Sequence, residues 1–131
     1  MRKHLLQFHL PLIMAGFPSP AEDFTDLSIS LDEVLIKNPP ATFMAYVEGD
    51  SMIRMGIHHG DIVIIDKSLN PINGDIVVAI LDGEFLIKEL SYIDGHPVLI
   101  PHNNNYQIIH ISKDMEFQIW GVVVHSIRSF R

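Results

Sequence analysis

Two short stretches carry side chains whose type and spacing suit them to chemistry. In VEGDSMIRMGIHHGD, residues 47 to 61, a strand-like run leaves through Gly49 and brings Ser51 onto a turn ahead of the apolar pair Met52-Ile53. A hydroxyl on such a bend stands among backbone N–H groups that are free to point at a developing oxyanion. In EFLIKEL, residues 84 to 90, two-residue alternation puts Leu86, Lys88 and Leu90 on one face and Phe85, Ile87 and Glu89 on the other. A lysine held against leucines loses hydration of its charged form, so its pKa falls from the ordinary value of about 10.4. A drop of about three units, worth roughly 4 kcal/mol, leaves a neutral amine that can take the proton of a serine hydroxyl. Each residue also has a plain alternative. A turn serine commonly bonds its own backbone, and a strand lysine commonly lays its stem along the sheet with the ammonium in water. Residue types alone leave both alternatives open.

Other catalytic arrangements find less support. The eight histidines invite a Ser-His-Asp or metal reading, but His58 and His59 are adjacent and diverge on any regular element. His96, His102, His110 and His125 fall in or beside expected strands without helical ligand spacing, and read as isolated strand-edge residues. With no cysteine, thiolate zinc sites, disulfides and a cysteine nucleophile are excluded, and a reducing cytoplasm fits. The glycines are dispersed, and Gly56, Gly60 and Gly74 read as turn residues rather than a phosphate loop. Neither a cofactor nor a metal is expected.

The elements that must hold Ser51 and Lys88 are short β-branched runs: Phe43 to Val47, Ile62 to Ile65, Ile76 to Leu81, Glu84 to Leu90, Val98 to Ile100, Ile108 to Ile111 and Phe117 to Ile127. Asp82-Gly83 between two of them predicts a tight type I′ hairpin. Ahead of the strands, one short helix is expected, with Ser30 as cap, Glu33 three residues on, and Leu31, Val34 and Leu35 on one face. It stops before Pro39-Pro40. The fold class is therefore mostly β.

At 131 residues and 47% apolar content the chain fits one globular domain with a sizeable core. Nine Lys and Arg against sixteen Asp and Glu give a formal charge of −7, which repels a phosphate backbone and argues against direct DNA binding. The basic start Met1-Arg2-Lys3 and the apolar Leu5 to Met14 resemble a secretory signal. Gln7, His9 and Pro11 interrupt that run, however, and Ile13 stands where a small residue is usual. No window reaches the roughly 18 uninterrupted apolar residues of a membrane span, so a soluble, cytoplasmic protein is expected.

Taken in order, several segments resemble one family: AGFPSPAEDF at 15 to 24, GDSM at 49 to 52, GDIVIID at 60 to 66, GDIVVA at 74 to 79, DGEFLIKEL at 82 to 90 and the closing GVVVHSIR. The set is similar to the LexA/UmuD family of self-cleaving Ser-Lys peptidases, in its UmuD-like mutagenesis branch. The resemblance implies a compact domain of short, strongly bent antiparallel strands, like the LexA C-terminal domain, preceded by an extended arm. It implies the division 1–16 cleavable arm, 17–40 irregular lead-in and 41–131 peptidase domain. It further implies Ser51 as nucleophile, Lys88 as general base, the backbone N–H groups of Asp50 and Ser51 as oxyanion hole, and Ala15-Gly16 as the bond cut. Ala15 stands where the mutagenesis branch carries Cys, as in the repressor branch.

The opening apolar run and the Pro18-Pro20 segment make sense in that light. An apolar arm can bury its side chains in a cleft of the same domain, small residues at the cut let the nucleophile approach, and the prolines resist continuation into helix or sheet. The implied partners are a second copy of the chain, a RecA filament on single-stranded DNA that favours cleavage, and the catalytic subunit of an error-prone polymerase that the trimmed dimer joins. Other functions are a repressor, which needs a DNA-binding domain that fifteen residues cannot supply, a signal peptidase, which needs membrane attachment, and a non-enzymatic partner-binding subunit.

Overall fold

The computed structural model describes residues 30–131. The chain divides into two units, Met1–Lys37 and Asn38–Arg131. The expected arm at residues 1–16, its Ala15-Gly16 bond and the lead-in as far as Ile29 lie outside the described residues. In the first unit, helix α1 spans Leu31–Leu35. The Ser30 hydroxyl caps it by accepting the Asp32 N–H at 3.2 Å. The reciprocal capping box expected with Glu33 is replaced by this bond to the preceding residue, and Glu33 stays in the first turn, where the helix dipole favours an acid.

The second unit opens with a tight helical turn at Pro39–Ala41, where the prolines at the first positions cost no backbone hydrogen bond. Seven strands follow: β1 Thr42–Tyr46, β2 Ile62–Asp66, β3 Ile76–Leu81, β4 Glu84–Ile93, β5 His96–Ile100, β6 Ile109–His110 and β7 Phe117–Ile127. They form one antiparallel sheet in the order β1-β2-β7-β3-β4-β5-β6. Pairing from β3 to β6 follows the chain. The last strand then returns to fill the middle, between β2 and β3.

Two hairpins have the same chemistry. Asp82 and Gly83 both take positive φ, 48° and 87°, as a type I′ turn requires. Asp94 and Gly95 repeat it at 53° and 78°, joining β4 to β5 at a turn the sequence reading did not assign.

Successive residues of β3 alternate between two apolar clusters, so both faces of the sheet are packed. Val78 joins Val47, Met52, Ile57, Val63 and Ile65 on one face. Val77 and Ala79 join Leu90, Leu99 and Val122 on the other. The long strand β7 meets its neighbours through two bulges, where Trp120 is the extra residue against β3 and Val124 the extra residue against β2. Such bulges bend a strand and re-aim a side chain. Between them β7 comes close to β2 at Gly121, where a Cβ would lie 2.5 Å from Ile65 Cγ2. No helix among the described residues is long and apolar enough to cross a membrane.

Candidate active site

The chain leaves β1 into a turn that is pinned on both sides. The Val47 N–H donates to the Asp61 carbonyl and the Gly60 N–H to the Val47 carbonyl, each at 2.8 Å. The Gly49 N–H donates to His59 Nδ1 at 3.0 Å. Beyond the turn, Met52 is buried in the first cluster, and its carbonyl accepts the N–H groups of Met55 and Ile57. Ser51 sits between these anchors and faces a cleft.

Lys88 meets Ser51 at a gap in the sheet. Strand β5 pairs with β4 only from Glu89 onward, so Lys88 stands where β4 loses its outer neighbour. The lysine is buried, with 7% of its surface exposed, and pairs with Val77 across the ladder. Its Nζ donates to Ser51 Oγ at 2.9 Å and to the Ile87 carbonyl at 3.2 Å. Among the described residues it has no carboxylate partner. Burial therefore pushes the Lys88 ammonium below its ordinary pKa of 10.5, with no opposing charge to restore it.

The loop after β5 supports the same turn through residues that no local sequence pattern marks. The His102 N–H donates to the Ser51 carbonyl at 2.7 Å, and the Arg54 N–H returns a bond to the His102 carbonyl at 2.9 Å. Asn103 Nδ2 donates to the Asp50 carbonyl at 2.9 Å, and the Tyr106 hydroxyl to Asp50 Oδ1 at 2.8 Å. The bond to Asp50 raises the Tyr106 pKa. His102 Nε2 also contacts Glu89 Oε1, next to Lys88 in sequence. The N–H groups of Asp50 and Ser51 meet no acceptor among the described residues.

The cleft measures about 570 Å³ and takes its walls from β1, β2, β3, β4 and β7. Ser51 and Lys88 both line it. Its lining is otherwise largely apolar or aromatic and includes Met44, Tyr46, Ile65, Val78, Phe85 and Trp120. Trp120, delivered by its bulge, packs edge-on to Phe85 at 5.9 Å and tilted against Phe43 at 5.2 Å. Lys67 Nζ lies 4.5 Å from its ring centroid. Strand β1 forms one edge of the sheet, and Met44 and Tyr46 on it are exposed.

The structure thus brings Ser51, Lys88 and the Asp50-Ser51 backbone together. Among the described residues no three His, Asp or Glu side chains gather in a metal-binding group. Of the histidines, His59 and His102 hold the serine turn in place, a role sequence spacing did not signal.

Comparison with known proteins gives this geometry its context. The family model described as Peptidase S24-like matches residues 9–124. The chain is 40% identical over 127 residues to the protein MucA of Salmonella typhimurium, covering 96% of this chain and 86% of MucA. It is 43% identical over 118 residues to SamA of Salmonella typhimurium, covering 88% and 81%. To the LexA repressor of Paracidovorax citrulli it is 32% identical, covering 94% of this chain and 60% of the repressor. A sheet with this serine turn, carrying a sequence this similar to the UmuD-like proteins over most of its length, belongs to the Peptidase S24-like family.

Proposed function

We propose that the chain is a self-cleaving serine peptidase in which Ser51 attacks the carbonyl of Ala15 and Lys88 acts as general base. The observation that carries this reading is the 2.9 Å contact between Lys88 Nζ and Ser51 Oγ at a lysine that burial drives toward its neutral form. The uncharged amine accepts the Ser51 proton as Oγ bonds to the Ala15 carbonyl carbon. Negative charge gathers on the carbonyl oxygen, within reach of the Asp50 and Ser51 N–H groups. The C–N bond to Gly16 breaks, and the Lys88 ammonium returns its proton to the leaving Gly16 amine. Water, deprotonated by Lys88, then releases the acyl-enzyme at Ala15. The product lacks residues 1–15.

The cleft supports an extended apolar substrate. As a sheet edge, β1 offers its main chain for pairing with the arm, whose side chains would enter the cleft. A substrate on the same chain has a high effective concentration, so docking rather than intrinsic affinity sets the rate. By kinship with UmuD-like proteins, we assign the stimulus to a RecA filament on single-stranded DNA. The trimmed homodimer then serves as accessory subunit of an error-prone polymerase in the cytoplasm.

Incubating the purified chain at mildly alkaline pH, with and without RecA filament, tests the reading. Mass spectrometry is expected to find a product beginning at Gly16, absent in Ser51→Ala and in Lys88→Ala. A wild-type chain that stays intact with filament present contradicts the peptidase and favours a partner-binding subunit.

A further inference from the structure

The loop after β5 grips the serine turn with residues that do not line the cleft. The Asp50 carbonyl takes Asn103 Nδ2 at 2.9 Å and the Ile53 N–H at 3.2 Å, and the Ser51 carbonyl takes the His102 N–H at 2.7 Å. His102, Asn103 and Tyr106 do not line the cleft; with Arg54 they border a separate hollow of about 470 Å³. Across a trans peptide, the carbonyl and the following N–H point in opposite directions in one plane. An Asp50 carbonyl held toward Asn103 therefore turns the Ser51 N–H away from Asn103, whose loop does not line the cleft that Ser51 lines. Described residues offer that N–H no acceptor. Asn103 is itself fixed, because its Oδ1 accepts the Asn105 N–H at 2.9 Å. The Tyr106 hydroxyl holds the Asp50 side chain at 2.8 Å, so the turn is gripped through both main chain and side chain.

We propose that Asn103, assisted by Tyr106, is a positioning residue that aims the Ser51 amide N–H as an oxyanion donor. The inference rests on Ser51 being the nucleophile and deepens that reading. Asn103 does not line the cleft that holds Ser51 and Lys88. It acts by removing the freedom of the Asp50-Ser51 peptide plane to rotate, so the donor is in place before charge develops. The polar loop residues supply what the apolar core cannot, a directional hold on one peptide plane.

The test is the pH profile of self-cleavage in the full chain. Asn103→Leu keeps size and adds no charge while deleting the donor, and Tyr106→Phe deletes one hydroxyl. The alkaline plateau rate is expected to fall about 10- to 100-fold in Asn103→Leu and about threefold in Tyr106→Phe. The midpoint of the profile stays at its wild-type pH in both, because the surroundings of Lys88 are unchanged. A plateau equal to wild type in both variants overturns the proposal. So does a midpoint displaced upward toward 10.5, which marks a site loosened enough for water to reach Lys88 and hence a merely structural role. Thermal unfolding establishes that each variant is folded, and Tyr106→Phe carries the test if Asn103→Leu is not. A wild-type chain that fails to cleave contradicts the peptidase reading itself, whereas a cleaving wild type with unaffected variants contradicts this inference alone.

Discussion

Lys88 and Asp61 are buried to a similar degree, at 7% and 3% exposure, yet burial lowers the pKa of Lys88 toward its neutral form while Arg128 holds Asp61 ionised. Asp61 is gripped by Arg128, with Nε on Oδ1 and Nη2 on Oδ2, both at 3.0 Å, and it accepts the His58 N–H at 2.8 Å. The Arg128 bond, outweighing desolvation, holds its pKa at about 2. Among the described residues, Lys88 Nζ bonds only a hydroxyl and a carbonyl. One region satisfies a buried charge to fasten the C-terminal segment beside the turn at 56–61. The other withholds a counter-charge, and an amine that is costly to protonate is one that can act as a base. Asp66 lies between them. Burial raises its pKa, but hydrogen bonds from Ser68 and Asn38 win and leave it lowered, without any cation.

The contrast breaks most visibly at Lys88. Lys88→Met is expected to abolish cleavage while making the fold more stable at pH 6 by about 1 kcal/mol or more, since apolar replacement of a buried charge is neutral to stabilising. The sign follows from linkage. A folded-state pKa below 10.5 means that the folded chain binds fewer protons than the unfolded chain between the two values, so wild-type stability rises with pH through that window. Urea unfolding at pH 6 and pH 10 is expected to show the variant's advantage shrinking at the higher pH.

Arg128→Ala works in the opposite sense. It leaves Asp61 buried without its cation and is expected to lower the thermal midpoint by several degrees at pH 7. Because the folded pKa of Asp61 is depressed, its contribution is present above 3.8 and is lost as pH falls through about 2. The gap between variant and wild type therefore closes toward pH 2, a trend that calorimetry across that range can follow. Ser68→Ala is the mildest change. It removes the 2.6 Å bond to Asp66 but leaves the donors Ser68 N–H and Asn38 Nδ2, and is expected to cost about 1 kcal/mol in urea unfolding.

Local signals were readable in the sequence, and long-range ones were not. β3 and β7 have the expected limits, because β-branched runs bounded by turn residues declare themselves. The Asp82-Gly83 turn declares itself for the same reason. Asp94-Gly95 carries the identical dipeptide, but ending the fourth run at Leu90 hid the three further strand residues that make it a hairpin. The central place of β7 depends on pairings with β2 and β3, which no local pattern encodes. At the site, strand alternation pointed to a buried Lys88, which is 7% exposed, and the GDSM turn pointed to Ser51, which Lys88 meets at 2.9 Å. Asn103 and Tyr106 escaped notice because polar residues after Pro101 resemble any surface turn, while their partner Asp50 lies 53 and 56 residues away. Trp120 reads as an ordinary strand residue until a bulge turns it toward the cleft.

The central claim is that burial without a counter-charge among the described residues lowers the pKa of the Lys88 amine within reach of Ser51. Titrating the Lys88 Cε and Nζ resonances by NMR in the isotope-labelled chain tests it most directly. The account predicts a midpoint clearly below 10.5 that returns toward 10.5 on urea unfolding; a midpoint at 10.5 in the folded chain contradicts it.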